Sequence, residues 1–193
     1  MLDNLKKYNI VLASNSPRRR ELLAGLGISF EVRVPKDIDE SYPDNLRAHD
    51  VPLYIAAKKA EGNRRYMQPH DLVITADTVV IAGGEILGKP ADAADARRML
   101  GKLSGRTHCV VTGVCLTTAD RQRRFAVSTD VTFKELSDEE IDHYVSAYSP
   151  LDKAGAYGIQ EWIGYIGVTG LNGSYFNVVG LPVQRIYQEL LDF

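Results

Sequence analysis

Apolar positions change period repeatedly along this chain, and those changes outline its elements. Asn9–Ala13 (NIVLA) is a short unbroken apolar run, the pattern of a buried strand. Pro17–Leu26 (PRRRELLAGL) has helical spacing and ends at Gly27. A second strand is expected at Ser29–Val34, and residues 35–52, polar, acidic and broken by proline, read as a loop. Leu53–Tyr66, rich in Ala and Lys, predicts a helix. Leu72–Ile81 is strongly β-like, and Ala82-Gly83-Gly84 turns it into Glu85-Ile86-Leu87. Asp92–Leu103 reads as a helix that Gly105 can stop. Thr107–Thr118 and Phe125–Leu136 suggest a hairpin around Ala119-Asp120-Arg121. Ser137-Asp138-Glu139-Glu140 is a capping box opening a helix to about Tyr148. Residues 149–181 are Gly-rich with several aromatics, the stretch 155–180 within them reads as binding loops, and Leu181-Pro182 starts a final amphipathic helix. This alternation predicts an α/β protein with a mixed sheet.

Composition narrows the function classes. A length of 193 residues with 45% hydrophobic and 25% charged residues suits one soluble domain, 1–193. The formal charge of -2 argues against a nucleic-acid binder working by broad phosphate neutralisation, so local charge matters more than net charge. No stretch approaches the roughly 20 apolar residues that span a bilayer, and the N-terminus reads as a strand, not a signal peptide. Cys109 and Cys115 lie too far apart on one strand to pair, which predicts buried free thiols. A reducing cytoplasm is the simplest setting, with neither membrane nor nucleic acid as partner.

Local charge is concentrated where the first strand meets the first helix. In Ser14-Asn15-Ser16-Pro17-Arg18-Arg19-Arg20, Ser16 is a good N-cap and Pro17 a good first helical residue. Three arginines then fill the first turn, where the helix dipole disfavours cations by roughly 0.3–1 kcal/mol each. A bound anion would reverse that sign, with hydroxyls, free amides and guanidinium forks converging on phosphate oxygens. The alternative is a solvated basic face.

Asp77 places a carboxylate inside the apolar stretch Thr75-Ala76-Asp77-Thr78-Val79-Val80. Burial there is costly unless the charge is paired, hydrogen-bonded or metal-bound, which makes Asp77 a candidate general base or metal ligand, against a structural acid satisfied by loop amides. Gly83 with Gly88-Lys89 comes close to a P-loop, but Pro90 stands where Ser or Thr should bind magnesium, so only Lys89 survives as a phosphate contact. Glu40, in the acidic stretch Asp37-Ile38-Asp39-Glu40-Ser41, could offer oxygen to Mg²⁺ or Mn²⁺, or be simply solvated. Lys58 and Lys59 read as helix-surface residues and His108 as structural. In Asp152–Gln160 (DKAGAYGIQ) the glycines permit close approach to a ligand, and Gln160 offers an amide to a base edge.

Six of these stretches, in this order, resemble the successive motifs of Maf proteins: SNSPRR from Ser14, Ala76-Asp77-Thr78, Gly88-Lys89-Pro90, Thr107-His108 with Thr112-Gly113, Asp152–Gln160, and Asn177–Pro182. The resemblance implies an elongated mixed α/β fold with two lobes around a cleft, related to inosine triphosphate pyrophosphatases. It implies cleavage of a nucleoside triphosphate between its α and β phosphates with a divalent cation, Mg²⁺ or Mn²⁺. Asp77 takes the catalytic position; Arg18, Thr78 and Gln160 take the specificity positions. Ser14, Ser16, Lys59 and Lys89 join those three as substrate contacts, and Glu40 with Asp77 as metal ligands. The Ala-Gly-Ala-Tyr-Gly-Ile-Gln stretch is similar to the branch acting on dTTP and UTP, with roles in nucleotide-pool cleaning or division arrest, and a homodimer is compatible with it. The rival readings are a non-catalytic nucleotide-binding regulator of cell division and a purine or 7-methyl-GTP pyrophosphatase. Lys58 departs from the family, which commonly has Glu there.

Overall fold

The structure is a computed structural model describing residues 2–36 and 38–193; Asp37 of the acidic stretch lies outside them. It is a mixed α/β fold. Seven strands form one sheet, β1 (Asn9–Leu12), β2 (Glu31–Val32), β3 (Asp71–Ala82), β4 (Glu85–Leu87), β5 (Thr107–Thr117), β6 (Gln122–Phe133) and β7 (Val168–Asn172). Their order is β2-β1-β3-β5-β6-β7, with β4 paired to β3. β1 runs parallel to β2 and β3, while β4 is antiparallel to β3 and β7 to β6.

The chain divides into two compact units, and β3, β5 and β6 each run from one into the other. The first unit comprises residues up to Asp77, 112–127 and 180–193. Its core joins Leu12, Leu23, Ile74, Leu116, Leu181 and Ile186, all fully buried. Burial of such side chains, roughly 1.5–3 kcal/mol each, is what holds short segments in place. Helices α1 (Pro17–Ala24), α2 (Val51–Arg64) and α7 (Val183–Leu191) belong to this unit. α2 lies very close to the sheet, since a Cβ on Gly113 of β5 would fall 2.3 Å from Leu53 N. Thr75 of β3 adds a buried hydroxyl bond to Ala56 O on α2 at 2.8 Å.

The second unit comprises residues 78–111 and 128–179. Its core gathers Leu100, Leu103, Val131, Phe133, Tyr144 and Ile163 beneath α3 (Ala93–Leu103) and α4 (Asp138–Tyr148). The capping box opening α4 forms as expected, Ser137 accepting from Glu140 N and Glu140 accepting from Ser137 N.

Several expectations need correction. Residues 155–180 are not merely loops: they contain α5 (Trp162–Gly167), β7 and α6 (Tyr175–Val179), and a 3-10 turn at 154–156 leads into them. Short elements like these take their hydrogen bonds and packing from partners remote in sequence, which composition does not reveal. The second strand shrinks to Glu31–Val32, α2 starts at Val51, and the return strand of the hairpin starts at Gln122. Cys115 is buried, but Cys109 is only half-buried. No helix of the described residues is long and apolar enough to cross a membrane.

Candidate functional site

β3 is buried along most of its length, and its burial is relieved at Asp77 and Thr78, both half-buried. Asp77 ends the part of β3 that belongs to the first unit, and three of its neighbours there decide its chemistry. Lys59, projecting from α2, places Nζ 2.9 Å from Asp77 Oδ1 and 3.1 Å from Glu40 Oε2. The two carboxylates thus share one ammonium. Lys59 and Asp77 are each 14% exposed, whereas Glu40 is 57% exposed. Burial raises the Asp77 pKa above the ordinary carboxylate value; Lys59 and Arg19 oppose that rise, and Glu40 adds to it. The result is a carboxylate more basic than usual, held against cations.

Of the three arginines opening α1, Arg20 is exposed and Arg18 half-buried. Arg19 turns inward, donating from Nε to Gly180 O at 2.8 Å and from Nη1 to Ala76 O at 2.9 Å. It therefore braces the peptide just before Asp77. Ser16 caps α1 by accepting from Arg19 N, and Ser14 Oγ accepts from Ser16 N at 3.3 Å. Each hydroxyl still has its proton to donate, which is what an anion at this helix start would use.

In the second unit, the Asp152–Gln160 stretch is held in an unusual backbone path. Gly155 and the fully buried Ala156 both have positive φ, 68° and 60°. A side chain at 155 would also collide with Val80, whose Cγ2 would lie 2.9 Å from its Cβ. A non-glycine residue in that region costs on the order of 1–3 kcal/mol, so the surrounding contacts must enforce it. They are visible. Tyr144 donates its hydroxyl to Glu161 and accepts from Gly158 N at 3.0 Å, and Lys153 Nζ lies 3.1 Å from Glu161 Oε1. This network flanks Gln160, whose Oε1 is buried without a hydrogen-bond partner among the described residues. A buried amide oxygen left unsatisfied suits a residue that waits for a ligand donor.

A family model described as Maf-like protein matches residues 9–193. The chain belongs to the Maf-like family. Its relatives in that family align nearly end to end. A protein named dTTP/UTP pyrophosphatase from Phocaeicola vulgatus is 63% identical over 98% of this chain and 98% of its own length. One of the same name from Parabacteroides distasonis is 58% identical over 100% of both chains, and one from Flavobacterium johnsoniae is 44% identical over 97% and 96%. Among solved structures, a HAM1 protein from Coxiella burnetii aligns with a TM-score of 0.49 and 15% identity, covering 96% of this chain and 100% of that one.

In this Maf-like chain the structure brings Glu40, Lys59 and Asp77 into direct contact and seats Ser14, Ser16 and Arg18 in the same unit. Lys59 is a correction to the helix-surface reading: α2 turns it to the carboxylates, while Lys58 beside it bonds the acidic loop. Thr78, Lys89 and Gln160 lie in the second unit, Lys89 exposed and the other two half-buried. Among the described residues, no group of three or more His, Cys, Asp or Glu side chains is placed to hold a metal. Arg19, Tyr144 and Glu161 went unremarked in the sequence as site residues. Arg19 carried a signal, three cations in one turn, but nothing said which of them would face inward. His108 is structural as expected: it is buried, with Nε2 2.7 Å from Tyr157 Oη.

Proposed function

We propose that this protein hydrolyses dTTP and UTP to the nucleoside monophosphate and pyrophosphate. The observation that carries the reading is its end-to-end likeness to Maf-like relatives named for that activity. The geometry around Asp77 supports a mechanism. A carboxylate made more basic by burial is suited to take a proton from water attacking the α-phosphate. Lys59 bridges Asp77 and Glu40, one positive charge between two carboxylates, and can turn its charge to phosphate oxygens when nucleotide arrives. Ser14, Ser16 and Arg18, at the start of α1, offer hydroxyl and guanidinium donors to phosphate, and Lys89 a further cation. Thr78 and Gln160 contribute to the choice of base, with Gln160 Oε1, unpartnered among the described residues, taking a donor from the pyrimidine edge.

The donor chemistry fits a divalent metal. Asp77 and Glu40 present hard carboxylate oxygens that already converge on one cation, Lys59 Nζ, and hard oxygens are what Mg²⁺ and Mn²⁺ take. Asp77 and Glu40 are the residues that would hold the ion. When bound, it would neutralise charge on the leaving pyrophosphate. Arg19 keeps Asp77 in place through Ala76 O, so its role is positional. We further place the enzyme in the cytoplasm, as a homodimer acting on free nucleotide rather than nucleic acid or membrane.

The test is a panel of pyrimidine and purine triphosphates assayed with Mg²⁺ or Mn²⁺ and then with excess EDTA. Hydrolysis of dTTP and UTP in preference to dGTP and dATP, lost on chelation and restored by metal, is expected. Full turnover in EDTA would remove the metal, and a preference for purines would remove the substrate assignment.

A further inference from the structure

Lys58 makes more of the acidic loop than a surface lysine ordinarily does. Its Nζ donates to Asp39 Oδ2 at 2.7 Å, to Ser41 O at 2.8 Å and to Ser41 Oγ at 3.3 Å. Ser41 is itself tied to Asp39, its N–H donating to Oδ1 at 2.9 Å and its hydroxyl to Oδ2 at 2.7 Å. One turn further along α2, Gly62 leaves room for Ile38, whose Cγ1 would lie 3.0 Å from a Cβ placed there. The residues on both sides of Glu40 are therefore fastened to α2, Ile38 and Asp39 before it and Ser41 after it.

Glu40 needs this. Its side chain is more than half exposed, so burial does not fix it, yet its Oε2 sits 3.1 Å from Lys59 Nζ. A single exposed ion pair holds a flexible loop weakly. Three acceptors on one ammonium, with an apolar contact on the far side, leave Glu40 little freedom. A glutamate at 58 would set a carboxylate against Asp39 and undo the arrangement.

We propose that Lys58 is a positioning residue that anchors the 38–41 loop on α2 and so holds the Glu40 carboxylate at Lys59 and Asp77. Its consequence for turnover rests on the proposed function, whereas the anchoring is tested separately. Lys58→Met keeps the aliphatic stem and removes the charge. It should speed cleavage after Glu40 by the protease Glu-C several-fold, since proteolysis follows the open population of the loop. It should also lower kcat/KM for dTTP at limiting Mn²⁺ by about tenfold, the low end for a group that orients a metal ligand. Lys58→Arg should restore both. On a Glu40→Gln background, Lys58→Met should cost no further activity, because a residue acting through Glu40 has nothing left to position. Unchanged cleavage after Glu40, or an equal activity loss in both backgrounds, overturns the proposal. Should the wild-type protein release no pyrophosphate while Lys58→Met still speeds cleavage, the anchor is supported and the proposed function fails.

Discussion

Two glycine-to-alanine changes should move stability in opposite directions, for reasons visible in their surroundings. Gly113 in β5 faces the first turn of α2: a Cβ there would lie 2.3 Å from Leu53 N and 2.4 Å from Leu53 Cα and Pro52 C. These are backbone atoms, so no rotamer change relieves the clash and the helix itself must move. Overpacking usually costs about 1–3 kcal/mol, and an immovable neighbour puts Gly113→Ala at or beyond the upper end. For a chain of this size each kcal/mol lowers Tm by roughly 2–4 °C, giving a fall of about 6–12 °C. Displacing α2 also shifts Lys59 from Asp77, so activity should fall with stability. Gly101 is the control. It lies exposed within α3 with nothing within 4 Å of a Cβ, and alanine there should add roughly 0.5–1 kcal/mol through helix propensity. Calorimetry and denaturant titration of both variants check this. A Gly113→Ala protein melting within a degree of wild type would refute the close seating of α2 on β5.

Burial pushes the His108 pKa down from the ordinary imidazole value of 6.5 to about 4. The unfolded chain therefore binds a proton that the folded one refuses between those values, and stability contributed by neutral His108 is present above pH 6.5 and lost as pH falls towards 4. That linkage amounts to on the order of 3 kcal/mol, and His108→Asn should flatten this part of the stability–pH curve; an unchanged slope would show that His108 titrates normally in the fold. Tyr144→Phe strips Gly158 N of its acceptor and Glu161 of its donor in a buried setting, so a loss of about 1–3 kcal/mol is expected in denaturant titration, and a loss under 0.5 kcal/mol would count against the network.

How far the sequence could be read follows from which signals are local. The capping box at Ser137 and Glu140, the Gly83-Gly84 turn and the Ser16-Pro17 helix start each involve residues within one turn, and each forms as expected. The Ala76-Asp77-Thr78 stretch also declared itself, because an acid in an apolar strand is conspicuous. Distant partners were invisible. Arg18, Arg19 and Arg20 look alike in the sequence, and it takes Ala76 O and Gly180 O, 57 and 161 positions away, to show that Arg19 is the brace. Lys58 and Lys59 are neighbours on α2 with different duties, since one meets the 38–41 loop and the other also meets β3. The Gly-rich region hid α5 because Gly164, where a Cβ would fall 1.8 Å from Ile159 O, is required by packing rather than by looseness.

The central claim is that Asp77 serves hydrolysis at the α-phosphate of a pyrimidine triphosphate. It is tested most directly by separating the products of dTTP from a single reaction run with wild-type protein and with Asp77→Asn. The expected result is dTMP and pyrophosphate as first products, with turnover in Asp77→Asn lower by about 10²–10⁴ while dTTP still binds, since the change removes a base and keeps its shape. Orthophosphate and dTDP as first products, or near-normal turnover in Asp77→Asn, would contradict it.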